Sequence, residues 1–105
     1  MIQLRGEIQE GFYNDTVIVK VNGAEVFNKG PLTTSLLGKG PTAFFCVDVK
    51  KGLVKVEVFV PTRNLQDTKN FLIRKNKNLG ISIDTATDFP SGIRFILSDK
   101  PFLYG

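Results

Sequence analysis

Hydrophobic and polar residues alternate along most of the chain, with an apolar side chain at every second position. Residues 1–10 place Ile2, Leu4 and Ile8 on one face, and residues 16–21 place three valines on one face. A period of two is typical of β-strands with one buried face, whereas an amphipathic helix shows a period of 3.6. Further segments of this kind cover residues 24–28, 32–37, 42–49, 53–60, 68–75, 79–84 and 93–98.

The segments are short and are separated by glycine, proline and asparagine, and no long segment carries a helical period. This pattern predicts an all-β fold, a single antiparallel two-sheet β-sandwich of about eight or nine short strands. A small closed β-barrel is the alternative. A chain of 105 residues is long enough for one domain, which we expect to span residues 1–105. Alternation does not predict the order of the strands in the sheets.

Asn22-Gly23 lies between two alternating segments and predicts a β-hairpin with a two-residue type I′ turn. The turn type fixes the register, and the register predicts which residues share each face of the hairpin. Counted from the turn, the expected pairs are Val21 with Ala24, Lys20 with Glu25, Val19 with Val26, and Ile18 with Phe27.

Lys50-Lys51-Gly52 separates a second pair of alternating segments, for which we also expect a hairpin. Its valine face would be buried, and a slip of one residue would turn the valines toward water. On the opposite face, the expected pairs are Asp48 with Lys55, Cys46 with Glu57, and Phe44 with Phe59.

Each predicted hairpin has a charged tip and an apolar base on its outer face. One interpretation is that other parts of the chain cover the apolar bases. The other is that Ile18, Phe27, Phe44 and Phe59 form an interface, since aromatic residues are common interface anchors. We therefore predict a non-enzymatic interaction or assembly module that binds an unknown protein partner or a second copy of itself.

The chain contains no histidine and one cysteine, Cys46. Histidine-dependent catalytic triads are excluded, and so is an intrachain disulfide. Cys46 lies in the middle of a predicted strand, where we expect a small packed residue rather than a nucleophile. We expect no enzymatic activity, no metal and no cofactor.

The formal net charge is +4, which is compatible with an anionic partner. The densest basic segment contains Arg74, Lys75 and Lys77, and this makes nucleic-acid or other polyanion binding an alternative function. The interaction module is favoured over it, because lysines at turns are usually just solvated and a nucleic-acid site needs exposed aromatic residues beside them.

A carbohydrate- or calcium-binding sandwich is a further alternative. Tyr13, Asp84 and Asp88 lie in predicted loops, and Asp99 follows the next strand. Three carboxylates at one edge of a sheet would offer the oxygen ligands that Ca²⁺ prefers.

No apolar segment approaches the ~18–20 residues of a membrane-spanning helix, and no secretory signal is visible at residues 1–10. From these features we expect a soluble cytoplasmic protein without a membrane partner.

Overall fold

The structure is a computed structural model that describes residues 1–34, 43–85 and 90–103. The described residues form eight β-strands and one short 3-10 helical turn, Pro61–Arg63. The strands are β1 (Ile2–Ile8), β2 (Asp15–Val21), β3 (Ala24–Leu32), β4 (Ala43–Val49), β5 (Gly52–Val60), β6 (Leu65–Ile73), β7 (Lys77–Ile83) and β8 (Ile93–Ser98). Of the strand predicted over residues 32–37, Leu32 ends β3, and residues 35–37 lie outside the described residues.

The strands form two four-stranded sheets that pack together as a β-sandwich. Sheet A has the order β4-β1-β7-β8, and sheet B has the order β3-β2-β5-β6. The predicted all-β sandwich is therefore confirmed, and the closed barrel is excluded. Sheet A is mixed rather than purely antiparallel, because β1 and β7 run parallel.

The first predicted hairpin is confirmed at its tip. Asn22 and Gly23 have positive φ values of 50° and 84°, as a type I′ turn requires. Val21 lies opposite Ala24 and Lys20 lies opposite Glu25, as expected. Beyond these pairs, a β-bulge shifts the register, and Phe27 lies opposite Val19 instead of Ile18. The bulge turns the Phe27 side chain into the core, where 5% of it is exposed.

The second predicted hairpin is wrong. β4 pairs with β1 in sheet A, whereas β5 pairs with β2 and β6 in sheet B. Residues 50 and 51 therefore connect one sheet to the other. The valines of both strands still face the shared core, and Val49, Val54, Val56, Val58 and Val60 are buried. The predicted faces are correct, but the predicted cross-strand pairs do not form.

Two aromatic pairs link the sheets at the two sides of the sandwich. Phe27 of β3 packs on Phe45 of β4, with ring centroids 5.9 Å apart. Phe71 of β6 packs on Phe95 of β8, also at 5.9 Å. Each pair joins an edge strand of sheet B to an edge strand of sheet A. Valine, leucine and isoleucine side chains fill the core between them.

Candidate functional site

The four residues of the predicted apolar interface do not form one surface. Ile18 and Phe59 are cross-strand partners on the outer face of sheet B, where both are half-buried. Phe44 is 53% exposed on the outer face of sheet A, on the far side of the molecule. Phe27 is buried in the core. The predicted surface is therefore reduced to the pair of Ile18 and Phe59.

Of the two charge pairs predicted at the hairpin tips, only the first is present. Lys20 lies opposite Glu25 in the first hairpin, as expected. Asp48 and Lys55 lie in different sheets, and Lys55 instead pairs with Glu57, whose carboxylate is 3.7 Å from the Lys55 ammonium. Cys46, which we expected to be packed, is exposed because it lies between Phe45 and Val47, which face the core, and so lies on the outer face of sheet A. The Arg5 guanidinium lies beside its sulfur, with Nη1 3.9 Å from Sγ.

Two basic segments that are separate in the sequence meet at one end of the sandwich. The connection from β4 to β5 carries Lys50 and Lys51, and the connection from β6 to β7 carries Arg74 and Lys75. β5 and β6 are antiparallel neighbours, and Gly52 at the start of β5 lies opposite Ile73 at the end of β6. Lys51 and Arg74 directly flank this pair, so the two connections lie side by side.

We call this region the basic end and define it as Lys50, Lys51, Arg74, Lys75 and Lys77. Asp99 pairs with two of these cations: it contacts the Lys77 ammonium through Oδ1, and its Oδ2 lies 3.2 Å from Lys75 Nζ. Lys50, Lys51 and Arg74 are exposed and make no ion pair within the described part of the chain. The basic end therefore keeps a local excess of positive charge.

Two exposed leucines border the basic end. Leu53 and Leu72 lie opposite each other on the outer face of sheet B, and they are 74% and 54% exposed. We call them the leucine pair. Beside Leu72, an open depression of about 460 Å³ is lined by Leu72, Arg74, Lys75 and Lys77. Apolar and cationic groups thus share one corner of the molecule.

The leucine pair is absent from the predicted sites, although the sequence contains a signal of it. Phe71, Leu72 and Ile73 are consecutive apolar residues in a strand, so the middle side chain must face away from its neighbours. Leu53 likewise precedes the buried Val54. An apolar residue at a position where the alternation predicts an outward-facing polar one therefore indicates an exposed apolar side chain.

At the opposite end of the sandwich the positive charges are balanced, because the arginines there lie beside carboxylates. Asp15 is buried, and its Oδ2 accepts a hydrogen bond of 2.9 Å from Arg63 Nε. The Thr62 hydroxyl donates to Asp15 Oδ1 at 2.7 Å, and the Tyr13 amide donates to Oδ2 at 2.8 Å. Arg63 also donates to the Gly11 carbonyl at 2.9 Å. This network fastens the 3-10 turn to β2.

The environment of Asp15 shifts its pKa. Burial raises the pKa of this carboxyl, but the hydrogen bonds from Thr62 and Tyr13 and the Arg63 guanidinium outweigh burial and hold the pKa below its usual 3.8. Asp15 is therefore a charged, fully engaged structural group. Both of its carboxylate oxygens already accept hydrogen bonds, so a ligand would have to displace this network to bind them.

The predicted calcium site does not assemble as expected. Asp84 follows β7 and Asp99 follows β8, and because these strands are antiparallel, the two carboxylates lie at opposite ends of sheet A. Asp84 lies 3.6 Å from Arg94 Nη1. Asp88 lies outside the described residues. Within residues 1–34, 43–85 and 90–103, no three histidine, cysteine, aspartate or glutamate side chains form a group that could hold a metal.

Comparison of the chain with protein-family models gives no match, and comparison with curated proteins gives none either. Where the structure describes the chain, it contains no helix with the length and apolar character needed to cross a bilayer. The function must therefore be inferred from the geometry of the surface.

Proposed function

We propose that this chain is a non-enzymatic binding module that holds an anionic partner at its basic end. The observation that supports this function is the pairing of Gly52 with Ile73, which sets two basic connections side by side. A single basic turn is usually a solvated feature, but two adjacent ones produce a field that a single turn does not. Asp99 offsets part of this charge, and Lys50, Lys51 and Arg74 are left to face a ligand.

Binding would occur through several long, flexible cations rather than through a shaped pocket. The depression beside Leu72 is open, so a ligand would stay largely in contact with water. Each exposed ion pair contributes little alone, roughly 0.5–1 kcal/mol, and the contributions weaken with salt. We therefore expect moderate affinity, fast association and steep salt dependence for a polyanionic ligand.

Heparin, used as a soluble polyanion, tests this proposal. The variant Lys51→Gln/Arg74→Gln removes two unpaired cations of the basic end. We expect its affinity for heparin to fall about tenfold, measured by titration calorimetry at low ionic strength. The variant Asp99→Asn should bind heparin more tightly than the wild type, because it frees Lys75 and Lys77.

The matched control is Lys29→Gln/Lys69→Gln, which removes the same charge from exposed positions away from the basic end. We expect it to lower the affinity by less than about twofold through the general field. Equal losses in the two double variants would overturn the proposal, because binding would then follow net charge and not the basic end.

Self-association is a second candidate function, and the pair of Ile18 and Phe59 favours it. These side chains lie opposite each other on the outer face of sheet B and are only half-buried. A second copy could cover them. Sedimentation equilibrium tests this function: we expect a concentration-dependent mass that Phe59→Lys abolishes while the circular dichroism spectrum stays unchanged. A constant monomer mass up to millimolar concentrations would contradict self-association.

A further inference from the structure

The leucine pair restricts the kind of anionic partner that fits the basic end. Resting on the proposed function above, we propose that the partner is the surface of a bilayer that contains anionic lipids. Lys50, Lys51 and Arg74 contact the headgroups, and Leu53 and Leu72 insert at the boundary of the acyl chains. The binding is peripheral and reversible.

The arrangement of the two strands supports this partner. Leu53 and Lys55 lie two residues apart on the outer face of β5, and Lys51 lies in the connection just before that strand. On β6, Leu72 lies on that same face, and Arg74 lies in the connection that begins just after Ile73. The result is a two-residue apolar patch that is bordered by the cations of the basic end.

This order matches the layers of a bilayer surface. Long lysine and arginine side chains can keep their charged groups at the level of the phosphates while the neighbouring leucines reach deeper. A soluble polyanion leaves the two leucines in contact with water, so its binding buries none of their apolar surface. Leu53 and Leu72 are 74% and 54% exposed, so the apolar surface that a bilayer would cover is already accessible.

Nucleic acid fits the same corner less well. Single-stranded nucleic acids bind by stacking their bases on exposed aromatic rings. The exposed apolar side chains beside the basic end are aliphatic, and Phe71, the aromatic neighbour of Leu72, points into the sandwich and packs on Phe95. The cations could contact a phosphate backbone, but the described residues of this corner provide no stacking platform.

The expectation of no membrane partner rested on the lack of a membrane-spanning segment in the sequence. Peripheral binding needs no such segment. It needs cations and a few apolar side chains on one surface, and the pairing of β5 with β6 creates that surface.

Vesicle co-sedimentation tests the proposal, with vesicles of phosphatidylcholine alone and with about one quarter phosphatidylserine. We expect binding only to the vesicles with phosphatidylserine. The variant Leu53→Ser/Leu72→Ser should lose about tenfold in vesicle affinity and keep its heparin affinity. The matched control Phe44→Ser/Ile96→Ser removes exposed apolar side chains from the outer face of sheet A, and it should bind vesicles like the wild type.

A fluorescent variant gives a second, independent readout. The chain contains no tryptophan, so Leu53→Trp introduces a single reporter at the leucine pair. On addition of phosphatidylserine vesicles, we expect a blue shift of its emission and quenching by brominated acyl chains. Emission that stays at the solvent-exposed wavelength while the protein co-sediments would overturn the insertion of the leucine pair.

The remaining outcomes separate the two proposals. Heparin binding without vesicle binding, or vesicle binding that is independent of the leucines, would overturn the bilayer proposal and leave the proposed function intact. Tighter binding to a single-stranded oligonucleotide than to vesicles would also overturn it, in favour of nucleic acid. A wild-type protein that binds neither heparin nor vesicles would overturn both proposals.

Discussion

Replacement of Asp15 by asparagine removes the charge at the centre of the network that fastens the 3-10 turn to β2. The carboxylate accepts hydrogen bonds from Thr62, Tyr13 and Arg63, at 2.7 Å, 2.8 Å and 2.9 Å. An asparagine of the same shape keeps one acceptor oxygen but turns an NH2 group toward one set of these donors. The substitution therefore loses hydrogen bonds and the attraction to the Arg63 guanidinium.

The magnitude follows from the burial of the two partners. The Asp15 side chain is 3% exposed, whereas the Arg63 side chain is 33% exposed. Loss of one partner of a fully buried ion pair costs about 3–5 kcal/mol, but here the guanidinium can regain water. We therefore expect Asp15→Asn to lower the free energy of unfolding by about 2–3 kcal/mol, and the melting temperature by roughly 10–20 °C.

The effect of pH provides an additional check. The pKa of folded Asp15 lies below its usual 3.8, so the unfolded chain takes up this proton first as the pH falls. The contribution of Asp15 is therefore complete above the unfolded pKa and is lost as the pH falls through the folded pKa. The stability difference between wild type and Asp15→Asn should be constant near neutral pH and shrink in this acidic range.

Urea denaturation, followed by circular dichroism from neutral to acidic pH, measures these quantities. Glu25→Gln is the control, because it removes an exposed carboxylate and should change stability by less than about 0.5 kcal/mol. A loss below about 1 kcal/mol for Asp15→Asn would refute the reasoning. So would a difference that stays constant to the lowest accessible pH.

Two further predictions concern the contact between the sheets at the β3 and β4 side. Gly6→Ala should destabilise the protein by about 1–3 kcal/mol in urea denaturation, since the aromatic ring of Phe45 lies over Gly6 where a Cβ would go. A neutral Gly6→Ala would contradict that packing. Phe27→Ala should cost about 3–5 kcal/mol, whereas Phe44→Ala should cost less than about 1 kcal/mol, because only the former ring is buried. Similar losses for the two phenylalanines would show that Phe27 is not in the core.

The sequence was most informative where local chemistry determines structure. Asn22-Gly23 predicted a turn, and the turn fixed the pairs nearest to it. Further from the turn, the bulge that places Phe27 in the core left no local signal. The bulge brings Phe27 into contact with Phe45, which is distant in the sequence.

The pairing of strands was less accessible, because alternation reports which face of a strand is buried and not which strand lies beside it. In a sandwich, the inner faces of both sheets meet in the same core. The valines of β4 and β5 therefore show the same pattern whether the strands form a hairpin or belong to different sheets. The parallel pairing of β1 with β7 is equally invisible to a local pattern.

The candidate site also has one part that is visible in the local sequence and one part that depends on strand pairing. Arg74, Lys75 and Lys77 are recognisable as a basic segment in the sequence, and so are Lys50 and Lys51. Each segment alone is typical of a solvated turn. The two segments lie together because β5 pairs with β6, and this pairing was not predicted from the sequence.

The most direct test of the basic end as a binding surface is a map of amide chemical shifts by nuclear magnetic resonance during titration with a short heparin oligosaccharide. We expect the largest shifts at Lys51, Arg74 and Lys75, with the amides around Asp15 and Arg63 at the opposite end unchanged. Shifts concentrated at the Asp15 end, or on the outer face of sheet A, would contradict the account.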